Sequence, residues 1–338
     1  MGDAPTRVST RVDYQADGKQ LGVLNVPHSH DLSAWGAIRL PIVVIKNGSG
    51  PTLLLTGGIH GDEYEGPIAL MKLARRLEPG AIRGRLIMLP ALNLPAVLAG
   101  TRVSPVDQVN MNRAFPGDPR GTPTLMIADY VSRYLIPLCD AALDLHAGGK
   151  TLCFVPFVGM HVLADKALMA RTRDALLAFG APISLIIEEL DTVGMLDTAV
   201  EDRGKVFLFT ELGGGGTATA HSVAIAERGI RNLMGHMGLI EAAPEPAPEP
   251  APTRLMYSPD TSYFTVSDDA GILEPLADLC AEVAGGQAIA EVHDVEKPGA
   301  APVVYRAARP GLLIGRHHPG LIKPGDCLAV IATDYPPE

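Results

Sequence analysis

The chain is poor in cysteine, in clustered positive charge and in long apolar runs, and each shortage removes a class of protein. Its four cysteines, Cys139, Cys153, Cys280 and Cys327, are scattered over 338 residues without a Cys-x-x-Cys pair. That spacing argues against a disulfide framework and a thiolate zinc site, and leaves buried free thiols as the expectation. Lysine and arginine total 28 against 38 acids, a formal charge of -10. With no basic cluster to follow a phosphate backbone, nucleic acid is set aside and a small solute is the expected partner. No stretch approaches the roughly 18 apolar residues of a membrane span, and the opening "MGDAPTRVSTRVDYQ" lacks the apolar core of a signal peptide. The sequence therefore reads as cytoplasmic, with no membrane partner.

What is present is apolar substance, 47% of the residues, enough for one large domain and a smaller one. The division is expected at "EAAPEPAPEPAP", residues 241 to 252. This Pro/Glu/Ala repeat makes a stiff, solvated spacer rather than a packed element. Residues 1–240, with a β extension over about 1–40, form the expected first domain, and 253–338 the second. In the first, runs such as "PTLLLTGG", "GRLIMLPAL", "AALDLHAGG", "SLIIEEL" and "KVFLFTELGG" alternate with segments of helical periodicity, an α/β pattern. In "GPIALMKLARRLEPG" Leu70, Leu73, Ala74 and Leu77 share one helical face, Pro67 suits the first turn, and Pro79-Gly80 ends it. A closing helix is expected around "HSVAIAERGIRNLMGHMGLI", with Val223, Ala226, Ile230, Leu233 and Met234 at helical spacing. After the spacer, "GILEPLADLCAEVAGGQAIAEV" from Gly271 loosely matches "GLLIGRHHPGLIKPGDCLAVIA" from Gly311. Two similar halves predict a small quasi-symmetric β-sandwich. It resembles a biotinyl or lipoyl carrier domain, without the lysine tip that would attach the cofactor.

Three strand ends carry the chemistry. "LLLTGGIHGDEYEGP" runs a strand into two glycines and then a histidine and several acids, at the sheet edge where open α/β folds keep their ligand sites. His60 and Glu63 are three apart in a tight turn and can converge on one ion. "AALDLHAGG" delivers Asp144 and His146 to a second strand end, with His146 as a third ligand. Asp144, on the same side, either orients the site's groups by hydrogen bonding or is a buried structural acid. "VFLFTELGGGG" brings Glu211 to a third. Two histidines and a carboxylate leave a position open on zinc, and a free glutamate beside it can take a proton from water during attack. Such a set describes a metal-assisted hydrolase, although nickel, cobalt or iron would suit the same ligands. The loop "TRVSPVDQVNMNRAFPG" carries Arg102, Asn112 and Arg113. Its arginines are suited to gripping a carboxylate or an oxyanion, or else are surface charges.

"GGIHGDEYEGP", "VNMNRAFPG", "DLHAGG" and "TELGGGG", in this order, resemble the succinylglutamate desuccinylase/aspartoacylase family over about residues 50 to 240. The resemblance implies a zinc carboxypeptidase-like mixed sheet flanked by helices, followed in long members by a small all-β, barrel-sandwich-like domain. It implies one Zn2+ on His60, Glu63 and His146, with Glu211 as general base and then acid. Asn112 and Arg113 would bind the substrate's α-carboxylate and Arg102 would polarise the scissile carbonyl. The substrate would be an N-acyl amino acid, and the long form resembles the branch that deacetylates N-acetylated diamino acids. Such a substrate calls for an acid at its side-chain amine, with Glu188, Glu189, Asp191 and Asp197 as candidates. A related deacylase of N-acylaspartate or N-succinylglutamate, a zinc carboxypeptidase and an inactive scaffold are the competing readings. A homodimer is the default assembly, and "GRHHPG", residues 315 to 320, is expected to be a turn with exposed imidazoles.

Overall fold

A computed structural model describes residues 4–188, 193–241 and 253–336. The central strands Thr52–Gly57 and Ala141–His146 are buried along their whole length. Each has parallel neighbours and helices or loops on both faces, which is why their sequences are unbroken apolar runs rather than alternating ones. They belong to a mixed sheet of 15 strands. Its middle runs in the order Gly84–Leu89, Thr52–Gly57, Ala141–His146, Val206–Glu211, Phe157–His161, Ile183–Ile187 and Arg254–Ser258. The N-terminal part forms the antiparallel pair Gly18–Pro27 and Ala37–Asn47 at one side.

Two apolar clusters cover the two faces. Leu54, Ile87, Ala142 and Phe207 point to one, and Leu53, Leu143, Leu208 and Ile186 to the other, as strand alternation requires. The second face is closed by helices Glu65–Arg76, Lys166–Phe179 and Ala220–His236. Glu65 at the start of the first and Arg75 and Arg76 at its end complement the helix dipole. The third begins in a capping box, the Ser222 N–H donating to Thr219 Oγ1 at 3.0 Å and the Thr219 N–H to Ser222 Oγ at 3.1 Å. Of its expected core positions, Ala226, Ile230, Leu233 and Met234 are buried, whereas Val223 is only half-buried and Ile225 takes its place.

The first and last parts of the chain share this sheet. Strand Arg254–Ser258 pairs in parallel with Ile183–Ile187 and antiparallel with Cys327–Asp334. Except for Glu241, the expected spacer lies outside the described residues. Beyond it, a separate four-stranded sheet, Val303–Arg306, Ala288–His293, Gly271–Pro275 and Leu321–Ile322, encloses a small core with the end of the large one, built on Ile289, Val292, Leu313 and Ile331. The sequence repeat is legible here. Gly271–Pro275 pairs antiparallel with Ala288–His293 in one sheet, and Gly311–His317 pairs antiparallel with Cys327–Asp334 in the other. Two expectations need correction. His317 of "GRHHPG" is buried between the carbonyl oxygens of Cys327 and Leu321 at 3.2 and 3.0 Å, and only His318 is exposed. The cysteines are all free, but only Cys139 is buried; Cys153 and Cys327 are half-buried and Cys280 is exposed.

Candidate metal centre and pocket

Three parallel strands end side by side. Gly57 lies opposite Leu145, and His146 opposite Glu211, so the loops that follow meet at one edge. His60, Glu63 and His146, all buried, bring one ligand atom each to within 4.8 Å of one another. Glu63 stands between the imidazoles, with Oε1 2.7 Å from His60 Nδ1 and Oε2 3.0 Å from His146 Nδ1. The rings are aimed from behind. His60 Nε2 lies 3.2 Å from Asn110 Oδ1 and His146 Nε2 lies 2.8 Å from Asp144 Oδ2. Thr56 donates its hydroxyl to Asp144 Oδ1 at 2.7 Å. Acceptors on both Nε2 atoms turn both Nδ1 atoms to the shared centre, the arrangement that outer carboxylates and amides impose on metal-binding imidazoles. Two nitrogens and a carboxylate in a buried corner match the donor set of a catalytic zinc site.

Protonation follows from burial and neighbours. Burial pushes Glu63 up, but the two imidazoles outweigh it and hold the carboxyl well below the usual range. Burial lowers His60. For His146 burial also acts downwards, but Asp144 and Glu63 on either side raise it well above its ordinary value. Glu211 behaves oppositely to Glu63. Burial and the charge of Glu63 push it up to about 8, and its buried Oε2 has no hydrogen-bond partner among the described residues. A carboxyl group titrating near neutrality beside a candidate metal centre is suited to taking and returning a proton.

The other acids of "GGIHGDEYEGP" have separate tasks. Asp62 Oδ2 accepts the Lys150 N–H at 2.8 Å and ties the turn after His146 to the turn after Gly57. Gly149 permits this, since its φ is +55° and a side chain there would meet Asp62 Oδ2 at 2.6 Å. Glu65 is buried, raised to about 7 by burial, and accepts the Ser222 hydroxyl at 3.0 Å.

A cavity of about 350 Å³ opens on this corner, lined by His60, Glu63, Arg102, Asn112, Arg113, Asp144, His146 and Glu211. These eight residues, all expected from sequence, therefore reach one pocket. Arg102 Nη1 lies 3.4 Å from His60 Nδ1 and 3.5 Å from Glu63 Oε1, on a half-exposed side chain. Asn112 is buried and its Oδ1 accepts the Leu196 N–H at 3.0 Å, leaving its amide NH2 as what it offers the cavity. Arg113 donates to the Asn112 carbonyl at 2.6 Å. Of the four candidate acids, Glu188 and Asp197 line the cavity, while Glu189 and Asp191 lie outside the described residues. Sequence reasoning missed Asn110, His161 and Phe264. The first stands in the "VNMNR" segment already singled out. His161 ends a strand, as His146 does, without glycines to mark it. Phe264 lines the cavity from beyond the spacer, where no local signal points to it.

A large mixed sheet whose parallel strand ends gather two imidazoles, a carboxylate and a second, near-neutral carboxyl group has the build of a metallohydrolase. Residues 49–237 match the succinylglutamate desuccinylase/aspartoacylase catalytic domain, and the chain belongs to that family. It is 49% identical over 328 residues to the N-alpha-acetyl-L-2,4-diaminobutyric acid deacetylase of Halomonas elongata, covering 97% of this chain and 95% of that one. Among solved structures, the product-bound ectoine utilization protein EutE (DoeB) of Ruegeria pomeroyi superposes with a TM-score of 0.93 at 48% identity, over 98% of this chain and 99% of that one. A succinylglutamate desuccinylase from a Silicibacter species gives 0.94 at 47%, over 98% and 100%.

Proposed function

We propose that the protein is a zinc-dependent deacetylase that hydrolyses N-α-acetyl-L-2,4-diaminobutyrate in ectoine breakdown, in the cytoplasm. The observation that carries this reading is the buried His60–Glu63–His146 group with Glu211 beside it, in a chain that matches a deacetylase of that name almost end to end. His60, Glu63 and His146 would hold one zinc ion per chain. Bound there, zinc supplies a Lewis acid for the acetyl carbonyl and makes water easier to deprotonate.

The protein's own groups account for the rest. Glu211 accepts a proton from the attacking water and later hands it to the departing α-amine, one carboxyl group serving as base and then as acid. Arg102, a guanidinium at the edge of the metal group, faces the oxyanion that develops on the acetyl carbonyl. Arg113, with the amide NH2 of Asn112, receives the α-carboxylate. We read residues 1–240 as the deacylase domain and 253–338 as a β domain that adds Phe264 to the pocket wall. We take the assembly to be a homodimer.

The test is acetate or succinate release from N-α-acetyl-L-2,4-diaminobutyrate, N-acetylaspartate and N-succinylglutamate after chelation, with and without added zinc. Zinc-dependent turnover of the first alone is expected. Turnover of another substrate instead would keep the chemistry and discard the pathway. Inactivity on all three, with activity on a peptide bearing a free C-terminus, would make the protein a carboxypeptidase.

A further inference from the structure

We propose that Asp197 selects for a positively charged side chain on the acyl amino acid, by receiving its terminal ammonium. The inference rests on the deacetylase reading and adds to it the part of the substrate that acyl chemistry leaves untouched.

Strand geometry sets where such a residue must be. Glu211, Phe209 and Phe207 alternate along one strand, so they face the same side of the sheet, and all three line the cavity. Phe209 lies over Gly159 on the next strand, where a side chain would meet its ring at 2.4 Å. Glu211 pairs with Phe157, and Phe157 and His161 pair with Ile183 and Ile187 beyond. The cavity floor thus runs from Glu211 across four residues to His161 and Ile187, about 13 Å at roughly 3.3 Å per residue. Five bonds separate the acyl carbon of an N-acetylated 2,4-diamino acid from its side-chain nitrogen, an extended reach of about 6 Å at roughly 1.2 Å per bond. A charge-assisted hydrogen bond adds about 2.8 Å. The acid that meets this ammonium belongs along the floor, away from the metal group.

Glu188 and Asp197 are the two candidates in the described part of the wall, and they differ in direction. Glu188 borders the cavity just past the end of strand Ile183–Ile187, but its carboxylate is turned towards Tyr257. Its Oε1 accepts the Tyr257 hydroxyl at 3.0 Å, and Tyr257 packs against the core that holds Ile186. Asp197 lies in the short helix Leu196–Glu201, whose Leu196, Ala199 and Val200 pack with Phe207 on the cavity side. Its side chain is buried, and Oδ1 accepts the N–H and hydroxyl of Thr198, which fixes the carboxylate's orientation. The substrate grip also sets its place, because Leu196 donates to Asn112 Oδ1 at 3.0 Å and Phe115 to the Gly194 carbonyl at 3.0 Å. One turn along the helix, Glu201 lies 3.1 Å from His161 Nδ1, and His161 stacks on Phe209 at 5.4 Å. Helix Leu196–Glu201 therefore brings negative charge to a wall that also carries Arg113, matching a small molecule with one carboxylate and one ammonium.

The experiment compares kcat/KM of the zinc-loaded enzyme on N-α-acetyl-L-2,4-diaminobutyrate and on N-α-acetyl-L-norvaline, in which a methyl replaces the ammonium at equal length. The wild type is expected to favour the charged substrate. Asp197→Asn keeps an acceptor for Thr198, and should cut that preference roughly 10²-fold, with Asp197→Glu restoring part of it. Glu188→Gln should leave the ratio within about a factor of two, as for a group outside the contact. An unchanged ratio in Asp197→Asn, or an equal fall in Glu188→Gln, overturns the assignment. Should Asp197→Asn not fold, the wild-type ratio decides, since equal turnover of both substrates removes any ammonium subsite. A wild type that releases acetate from neither overturns the deacetylase reading as well.

Discussion

Replacing Glu211 with Gln should make the metal-free protein more stable while abolishing turnover, because the carboxyl group proposed as general base is held in a place hostile to its charge. Its pKa stands at about 8 in the folded chain against 4.5 for an ordinary glutamate. For an acid raised on folding, the native state keeps its proton longer than the unfolded one. The carboxyl group is therefore harmless below pH 4.5, and its ionisation destabilises the fold increasingly as pH rises towards 8. At about 1.4 kcal/mol per pH unit, the cost is about 1 kcal/mol at pH 5 and about 4 kcal/mol at pH 8. An uncharged glutamine escapes it. With about 2.1 cal/mol/K of unfolding entropy per residue, a chain of 338 residues converts these figures to a Tm gain of about 1 °C at pH 5 and about 6 °C at pH 8. The assay is a thermal melt of chelated wild type and variant across that pH range, followed by activity with zinc restored. A Tm difference that does not grow with pH would refute the electrostatic account of Glu211, and full activity of the variant would remove it from the mechanism. Added zinc should narrow the gap, since a cation beside Glu211 favours the ionised form.

Asp144→Asn should weaken zinc binding by about 10- to 100-fold in equilibrium dialysis, because it loosens the hold on His146 Nε2, and His146→Ala should lose stoichiometric metal altogether. Zinc affinity of the wild type should fall as pH drops, since Asp144 and Glu63 raise the pKa of His146 and a proton competes for its Nδ1; affinity independent of pH would count against His146 as a ligand. Arg113→Lys should raise KM about 10-fold or more with a smaller change in kcat, because an ammonium cannot reproduce the guanidinium fork; an unchanged KM would place the carboxylate elsewhere. Gly159→Ala puts a methyl group 2.4 Å from the Phe209 ring, and should tilt that ring into the cavity and raise KM while zinc content stays at the wild-type level, as metal analysis would show.

The edge-on part of the site was legible in the sequence because a parallel strand has a one-dimensional signature. An apolar run, a glycine pair and a polar residue mark its carboxyl end, and "LLLTGGIHGDE", "LDLHAGG" and "FTELGGGG" all obey it. What stayed hidden depends on strand direction and face. Phe157–His161 runs antiparallel to Val206–Glu211, and nothing in "FVGMH" says so. Yet this reversal carries the pocket floor along the sheet to His161 and Ile187, instead of ending it at the edge. Asn110 and the backbone partner of Asn112 were unreadable in a different way. The two asparagine side chains serve partners 50 and 84 residues away, at His60 and Leu196, and such pairings leave no trace in local spacing. The exposure expected for His317 failed for the same reason, since its carbonyl partners come from the next turn and the last strand.

The pairing of Arg254–Ser258 with Ile183–Ile187 gives the chain an order of completion during synthesis. When a ribosome has released residues up to 241, the groups proposed to hold zinc already have their strands, but Ile183–Ile187 still shows an open edge of unpaired backbone groups. Phe264, which closes the cavity wall, has not yet emerged. A nascent chain at that stage carries its chemistry in an unwalled pocket beside a sticky edge, the form most exposed to mispairing. On this reasoning a fragment ending at 241 is expected to aggregate on refolding while the full chain does not.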